Sequence, residues 1–266
     1  MTSNELVRRA QIFLDQGDFE ECEALARRAL MMDPESSEAR HVLANTLIEQ
    51  QRYEEAVDCL ERIVERSPDD PVSLADLGFC LYEMCRFDEA EAVLARALEL
   101  DPDDPHANYW MGLCVERRGF VDLADEYFER AHERDADAFP RPYRMAMADF
   151  EKAVREAVAR LPRRFQRELT NLQIIVEDLP SDEQLWEFDP PLEPSLFGLY
   201  WGTPRTERTT EDLPRLPDLI YLYKRNLERL CEDRDALVEE IRITVLHEIG
   251  HYLGLDEADL EASGYA

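Results

Sequence analysis

Lysine is nearly missing from this 266-residue chain, which has Lys152 and Lys224 and no others. Neither lies in a GxxxxGK[ST] segment, and no GxGxxG occurs, so the sequence offers no backbone cradle for nucleotide phosphates. It also lacks GxSxG, the nucleophile turn of many serine hydrolases. No run approaches the ~18–20 apolar residues of a membrane span. The start, MTSNELVRRAQIFLDQ, has no apolar stretch leading to a small-residue cleavage site, so no secretory signal is expected. The cysteines (Cys22, Cys59, Cys80, Cys85, Cys114, Cys231) show no CxxC spacing. They read as reduced packing thiols of a cytoplasmic protein.

Acid is abundant: 60 Asp and Glu face 30 Lys and Arg, a formal charge of −30. Residues 1–136 hold 33 acids against 14 bases, and residues 137–266 hold 27 against 16. This field repels nucleic acid and anionic lipid, so neither is an expected partner. It favours basic partners, although a solubilising surface is the plainer reading.

A period of 34 organises the first half. Pro34, Pro68 and Pro102 follow it, with Ala136 in the next slot. So do Cys22, Ala56, Ala90 and Ala124; Phe19, Tyr53, Phe87 and Val121; and Ala10, Ala44, Gly78 and Gly112. Each phase keeps one residue class: a helix-ending proline, a small residue, a bulky apolar residue, and a second small residue that lets two helices approach. RYEEAVDCLERIVERSPDD and RFDEAEAVLARALELDPDD are near copies. This segment resembles the tetratricopeptide repeat. The resemblance implies four antiparallel helix pairs starting near residues 3, 37, 71 and 105, in an all-α superhelix over 1–136. It also implies a concave face that binds a protein or peptide. Residues expected on that face are His41, Asn45, Phe79, Tyr82, His106 and Tyr109.

The period stops after DADAFPRP, and residues 137–266 are expected to form an α+β unit. Tyr143, Met147, Phe150, Val154, Val158 and Leu161 step at helical spacing, predicting an amphipathic helix over 141–161. That helix either caps the repeats or opens the next unit. NLQIIVED (171–178), LFGLYWG (196–202) and DLIYLYK (218–224) read as short strands. DPPLEPS and TPRTERTTEDLPRLP read as loops between them.

A final helix from about Asp233 to Leu253 carries HEIGH. Residues four apart differ by ~40° around a helix and ~6 Å along it, so His247 and His251 face one way. Two imidazoles so placed suit one zinc ion. Glu248, ~100° away from His247, lies outside that row and suits the general base. Val238, Ile241, Val245, Leu246, Ile249, Tyr252 and Leu253 make the helix apolar around most of its girth, which predicts burial. Glu240, Thr244, His247 and His251 form its polar stripe.

In the metzincin pattern HExxHxxGxxH, the last ligand comes ten residues after the first. Gly254 stands here at plus seven and Glu257 at plus ten. Glu257 is the expected third ligand, with Asp256 and then Asp259 as alternatives. The second half resembles the small bacterial zincin-like metallopeptidases with the motif HExxHxxGxx(D/E). The resemblance is carried by DFEKAVREAVARLP, LQIIVEDLP, LFGLYWGTP, DLIYLYKRNL and TVLHEIGHYLGL. It implies a zinc peptidase with His247 and His251 as ligands and Glu248 as general base. The chain departs from that pattern in having Glu at plus ten and no methionine after Met147. Tyr252 and Tyr265 are nearby candidates for stabilising an oxyanion. The alternative function is an inactive zincin-like adaptor whose repeats do the work.

Overall fold

The computed structural model describes residues 2–161, 163–166, 169, 171–202 and 218–254. The chain divides into two compact units, Met1–Phe139 and Pro140–Ala266.

The first unit is eight helices in four antiparallel pairs: α1 (Ser3–Asp15), α2 (Phe19–Met32), α3 (Ser37–Glu49), α4 (Tyr53–Arg66), α5 (Pro71–Glu83), α6 (Phe87–Leu100), α7 (Pro105–Arg117) and α8 (Val121–Arg134). Local chemistry sets the starts. Thr2 and Glu5 form a capping box on α1, the side chains of Asp18, Ser36 and Asp104 cap α2, α3 and α7, and Pro71 and Pro105 open α5 and α7.

The 34-residue phases take physical form here. Cys22, Ala56, Ala90 and Ala124 are all fully buried. A Cβ on Gly78 would fall 2.4 Å from Leu94 Cγ, and one on Gly112 would fall 2.7 Å from Phe128 Cε1. Leu94 and Phe128 are themselves one period apart, so the small residue on one helix admits the large residue of its partner. A fifth phase is conformational. Gly17, Gln51, Cys85 and Gly119, at the turn within each pair, all have positive φ (74°, 58°, 57° and 84°).

Tyr82, expected on a binding face, is instead 1% exposed and packs against Phe87 and Trp110. Tyr109 is half-buried among Trp110, Phe128 and Phe139. Phe139 thereby belongs to the first unit, three residues beyond the expected boundary at 136. Its ring meets His106 and Tyr109, and its carbonyl is 2.9 Å from His132 Nδ1. The cysteines are free thiols, five of them buried. Burial pushes Cys114 up to about 12 and Cys231 up to about 11, consistent with packing thiols.

The second unit runs α9 (Met147–Ala159), α10 (Arg163–Gln166), β1 (Leu172–Glu177), α11 (Asp182–Leu185), β2 (Gly198–Trp201), β3 (Asp218–Tyr223), α12 (Lys224–Arg229) and α13 (Arg234–Leu253). Its sheet has the order β1-β3-β2, with β1 parallel and β2 antiparallel to β3. Gly198 pairs with Leu222 and Tyr200 with Ile220. Phe150 and Val154 of α9, Ile220 and Leu222 of β3, and Ile241 and Val245 of α13 share one core. The helix expected over 141–161 thus packs within the second unit, and it starts later, at Met147. Extended backbone precedes it because long-range partners hold that segment. Tyr143 N–H donates to the carbonyls of Glu228 (3.0 Å) and Cys231 (3.1 Å), and Met145 N–H donates to Glu228 Oε1 (2.7 Å). The expected loop 203–217 lies outside the described residues. No helix among the described residues is long and apolar enough to cross a membrane.

Candidate metal centre

The histidine-bearing helix α13 is fixed at both ends. Asp233 Oδ1 accepts from the N–H groups of Asp235 and Ala236, both at 2.9 Å. Gly254 ends the helix in the left-handed conformation (φ 78°, ψ 30°), which only glycine adopts without strain. Between these ends α13 packs against α9, α12, β2 and β3, as its apolar girth requires.

His247 and His251 converge on one point. Their Nε2 atoms are 2.9 Å apart, a distance at which one ring nitrogen donates to the other. Their ring centroids are 4.5 Å apart and the planes nearly perpendicular, at 83°. Both rings are half-buried. Nitrogens each ~2.0–2.1 Å from a tetrahedral ion stand ~3.3 Å apart, so a few tenths of an ångström separate the observed pair from that spacing. The imidazole pair fits zinc by chemistry and by aim. In the polar stripe, Thr244 is satisfied within its own helix, its hydroxyl donating to Glu240 O at 2.9 Å.

Glu248, the residue after His247 on α13, is 6% exposed. It lies against the bare backbone of Gly198 on β2, where an added Cβ would meet Oε1 at 2.7 Å and Cγ at 2.8 Å. Several contacts hold β2 there. Asn226 Nδ2 donates to the carbonyls of Pro194 (3.0 Å) and Leu196 (2.6 Å). Tyr223 N–H donates to Phe197 O at 2.9 Å. Tyr200 donates to Asp218 Oδ1 at 3.0 Å, and its ring meets Tyr252 at 5.9 Å. Tyr252 itself is 2% exposed.

Glu257, Asp256, Asp259 and Tyr265 lie outside the described residues. Among the described residues, no three His, Cys, Asp or Glu come together. Two features of the site escape sequence reasoning. Gly198 is one, since its closeness to Glu248 depends on which strand crosses α13. Tyr223 is the other. It is fully buried, and its hydroxyl has no hydrogen-bond partner among the described residues. Burial, then the negative charge of Glu177, Tyr221 and Glu248, raises the affinity of that phenol for its proton.

The described geometry is thus a helix with two converging imidazoles and a buried carboxylate against a strand of the sheet. Residues 169–265 match the zincin-like metallopeptidase family model, and residues 13–75 and 60–114 match the tetratricopeptide repeat. The chain joins a tetratricopeptide-repeat region to a zincin-like metallopeptidase domain. Solved structures of MamA are similar over about half of the chain. MamA 41-end from Desulfovibrio magneticus RS-1 is 19% identical, covering 50% of this chain and 76% of its own, with a TM-score of 0.46. MamA AMB-1 is 25% identical, covering 52% and 75%, with a TM-score of 0.44. No curated protein gives a significant match.

Proposed function

We propose that the chain is a zinc-dependent metallopeptidase whose repeat unit recruits a protein substrate or partner. The observation that carries this reading is the 2.9 Å convergence of His247 and His251 Nε2 atoms, with Glu248 buried beside them. His247 and His251 would hold the metal, with Glu257 completing the set. Zinc, when bound, supplies Lewis acidity for polarising a carbonyl and activating water near neutral pH.

The chain's own groups do the rest. Glu248 accepts a proton from the attacking water and delivers it to the leaving amine. Its burial keeps the carboxylate directed, and Gly198 leaves the room it occupies. Among the described residues β2 forms a sheet edge, so an extended peptide can pair with it and pass close to Glu248. The repeats raise the local concentration of a bound substrate, an effect that reaches the millimolar range for short tethers.

Elemental analysis of zinc-loaded, dialysed protein tests the metal set. About one equivalent is expected in wild type, lost in His247→Ala and in His251→Ala. Wild type that remains metal-free refutes the reading, and full occupancy in Glu257→Ala moves the third ligand elsewhere.

A further inference from the structure

A groove of about 720 Å³ crosses the first helices of all four pairs in the repeat unit. Its lining combines carboxylates with aromatic rings: Asp15 of α1, Glu49 of α3, Asp76 and Phe79 of α5, and His106 and Trp110 of α7. Phe79 and Trp110 touch at 4.6 Å between centroids and are half-buried, so they present a firm apolar floor. Among the described residues, neither lysine nor arginine lines this groove.

The rest of the repeat surface differs. Arg27 and Arg52 reach Glu23 and Glu55, Arg86 reaches Glu89, and Arg118 reaches Asp88 and Glu91. These five acidic side chains on α2, α4 and α6 are thus paired locally. In the groove, His41 holds Asp76 at 2.9 Å and the Gln11 amide donates to Asp15 at 3.0 Å, while no ion pair reaches Glu49 among the described residues. Asp15 and Glu49 line the groove together with Phe79 and Trp110, with no cationic side chain paired to either among the described residues. Their charge is therefore a local property of the groove, beyond the overall −30.

We infer that this groove binds a cationic, extended polypeptide segment. Its lysine or arginine side chains pair with Asp15 and Glu49, and a neighbouring apolar or guanidinium group lies on Phe79 and Trp110. A second copy of this chain carries the wrong charge for the site. The inference deepens the recruitment role proposed above and does not depend on hydrolysis at the metal centre.

Fluorescence anisotropy tests it with a short labelled peptide of lysine, glycine, serine and phenylalanine, and with its glutamine-for-lysine and glutamate-for-lysine counterparts. The full chain is used, in wild type and in a Glu248→Ala background so that no cleavage competes. The lysine probe should bind tightest and the glutamate probe weakest. The double variant Asp15→Asn/Glu49→Gln should weaken lysine-probe binding by roughly threefold to tenfold, the effect of losing two partly exposed charge pairs. The double variant Glu54→Gln/Asp58→Asn, which removes the same charge from exposed positions on α4, should leave it unchanged. Equal losses in both double variants, or equal affinity for all three probes, overturn the inference. Binding that follows this pattern without any hydrolysis by wild type leaves the inference standing and removes the peptidase reading alone.

Discussion

Replacing Gly198 with alanine pushes directly on the proposed base. The new Cβ would lie 2.7 Å from Glu248 Oε1, 2.8 Å from Cγ and 3.0 Å from Cδ, whereas ordinary contact begins at 3.4 Å. The carboxylate must therefore withdraw by about 0.7 Å, the difference between those two distances. Turning the carboxylate alone gives no relief, because Cγ is nearly as close as the oxygen. Misplacing a reacting group by ~1 Å costs ~10²-fold in rate, so kcat on an unstructured peptide should fall roughly 10- to 100-fold. The zinc content should stay near one equivalent, since the three atoms nearest the new methyl group all belong to Glu248. Overpacking should also cost ~1–3 kcal/mol of stability. Gly112→Ala provides the control, because it strains the other unit, where the three atoms nearest its Cβ all belong to Phe128, the first at 2.7 Å. A stopped peptide-cleavage assay with metal analysis and urea denaturation of each variant gives all three readings. Unchanged kcat in metal-loaded Gly198→Ala would mean that Glu248 does not act from where it lies.

The remaining expectations concern stability. Gln51 is exposed at φ 58°, a conformation costing ~1–2 kcal/mol for a residue with a Cβ, so Gln51→Gly should gain about 0.5–1 kcal/mol in urea denaturation despite glycine's entropy; a loss would show that the Gln51 side chain stabilises the turn. Glu228 is fully buried with Lys224, Arg144 and Arg225 around it, so Glu228→Gln strands buried cations and should destabilise the second unit by about 3 kcal/mol. A change within experimental error would mean that the cations find other partners. His41 has a pKa raised above 6.5, first by its hydrogen bond to Asp76. A raised folded-state value contributes stability that is complete below 6.5 and lost as pH rises through the folded pKa. The gap in thermal midpoint between wild type and Asp76→Asn should therefore narrow from mildly acidic to mildly basic pH, and a constant gap would refute the coupling.

Much of the repeat unit can be read from the 34-residue period alone, because each phase does a local job. Prolines follow helix ends, Phe19, Tyr53 and Phe87 open second helices, and Gly78 and Gly112 face Leu94 and Phe128. The left-handed turn phase is harder to see, since Gln51 and Cys85 stand where Gly17 and Gly119 advertise it. The strands are visible as β-branched and aromatic runs, but their order is not. That order is what lays β2 across α13 and brings Gly198 to Glu248. Helix α9 begins at Met147 rather than near 141 because Glu228, more than 80 positions away in sequence, captures Met145 and Arg144. Periodicity cannot register such a partner. The imidazole pair is the opposite case. Helical spacing alone aims His247 and His251 at one point, and the 2.9 Å separation follows from it.

Metal-dependent peptide hydrolysis by these imidazoles and Glu248 is open to direct test. The most direct measurement compares zinc-loaded wild type with zinc-loaded Glu248→Ala on an unstructured peptide, with metal content determined on the same samples. About one zinc is expected in each, with cleavage by wild type and a rate at least ~10²-fold lower in the variant. Equal cleavage by both proteins, or wild type that holds zinc and cleaves nothing across a diverse peptide set, would contradict this expectation.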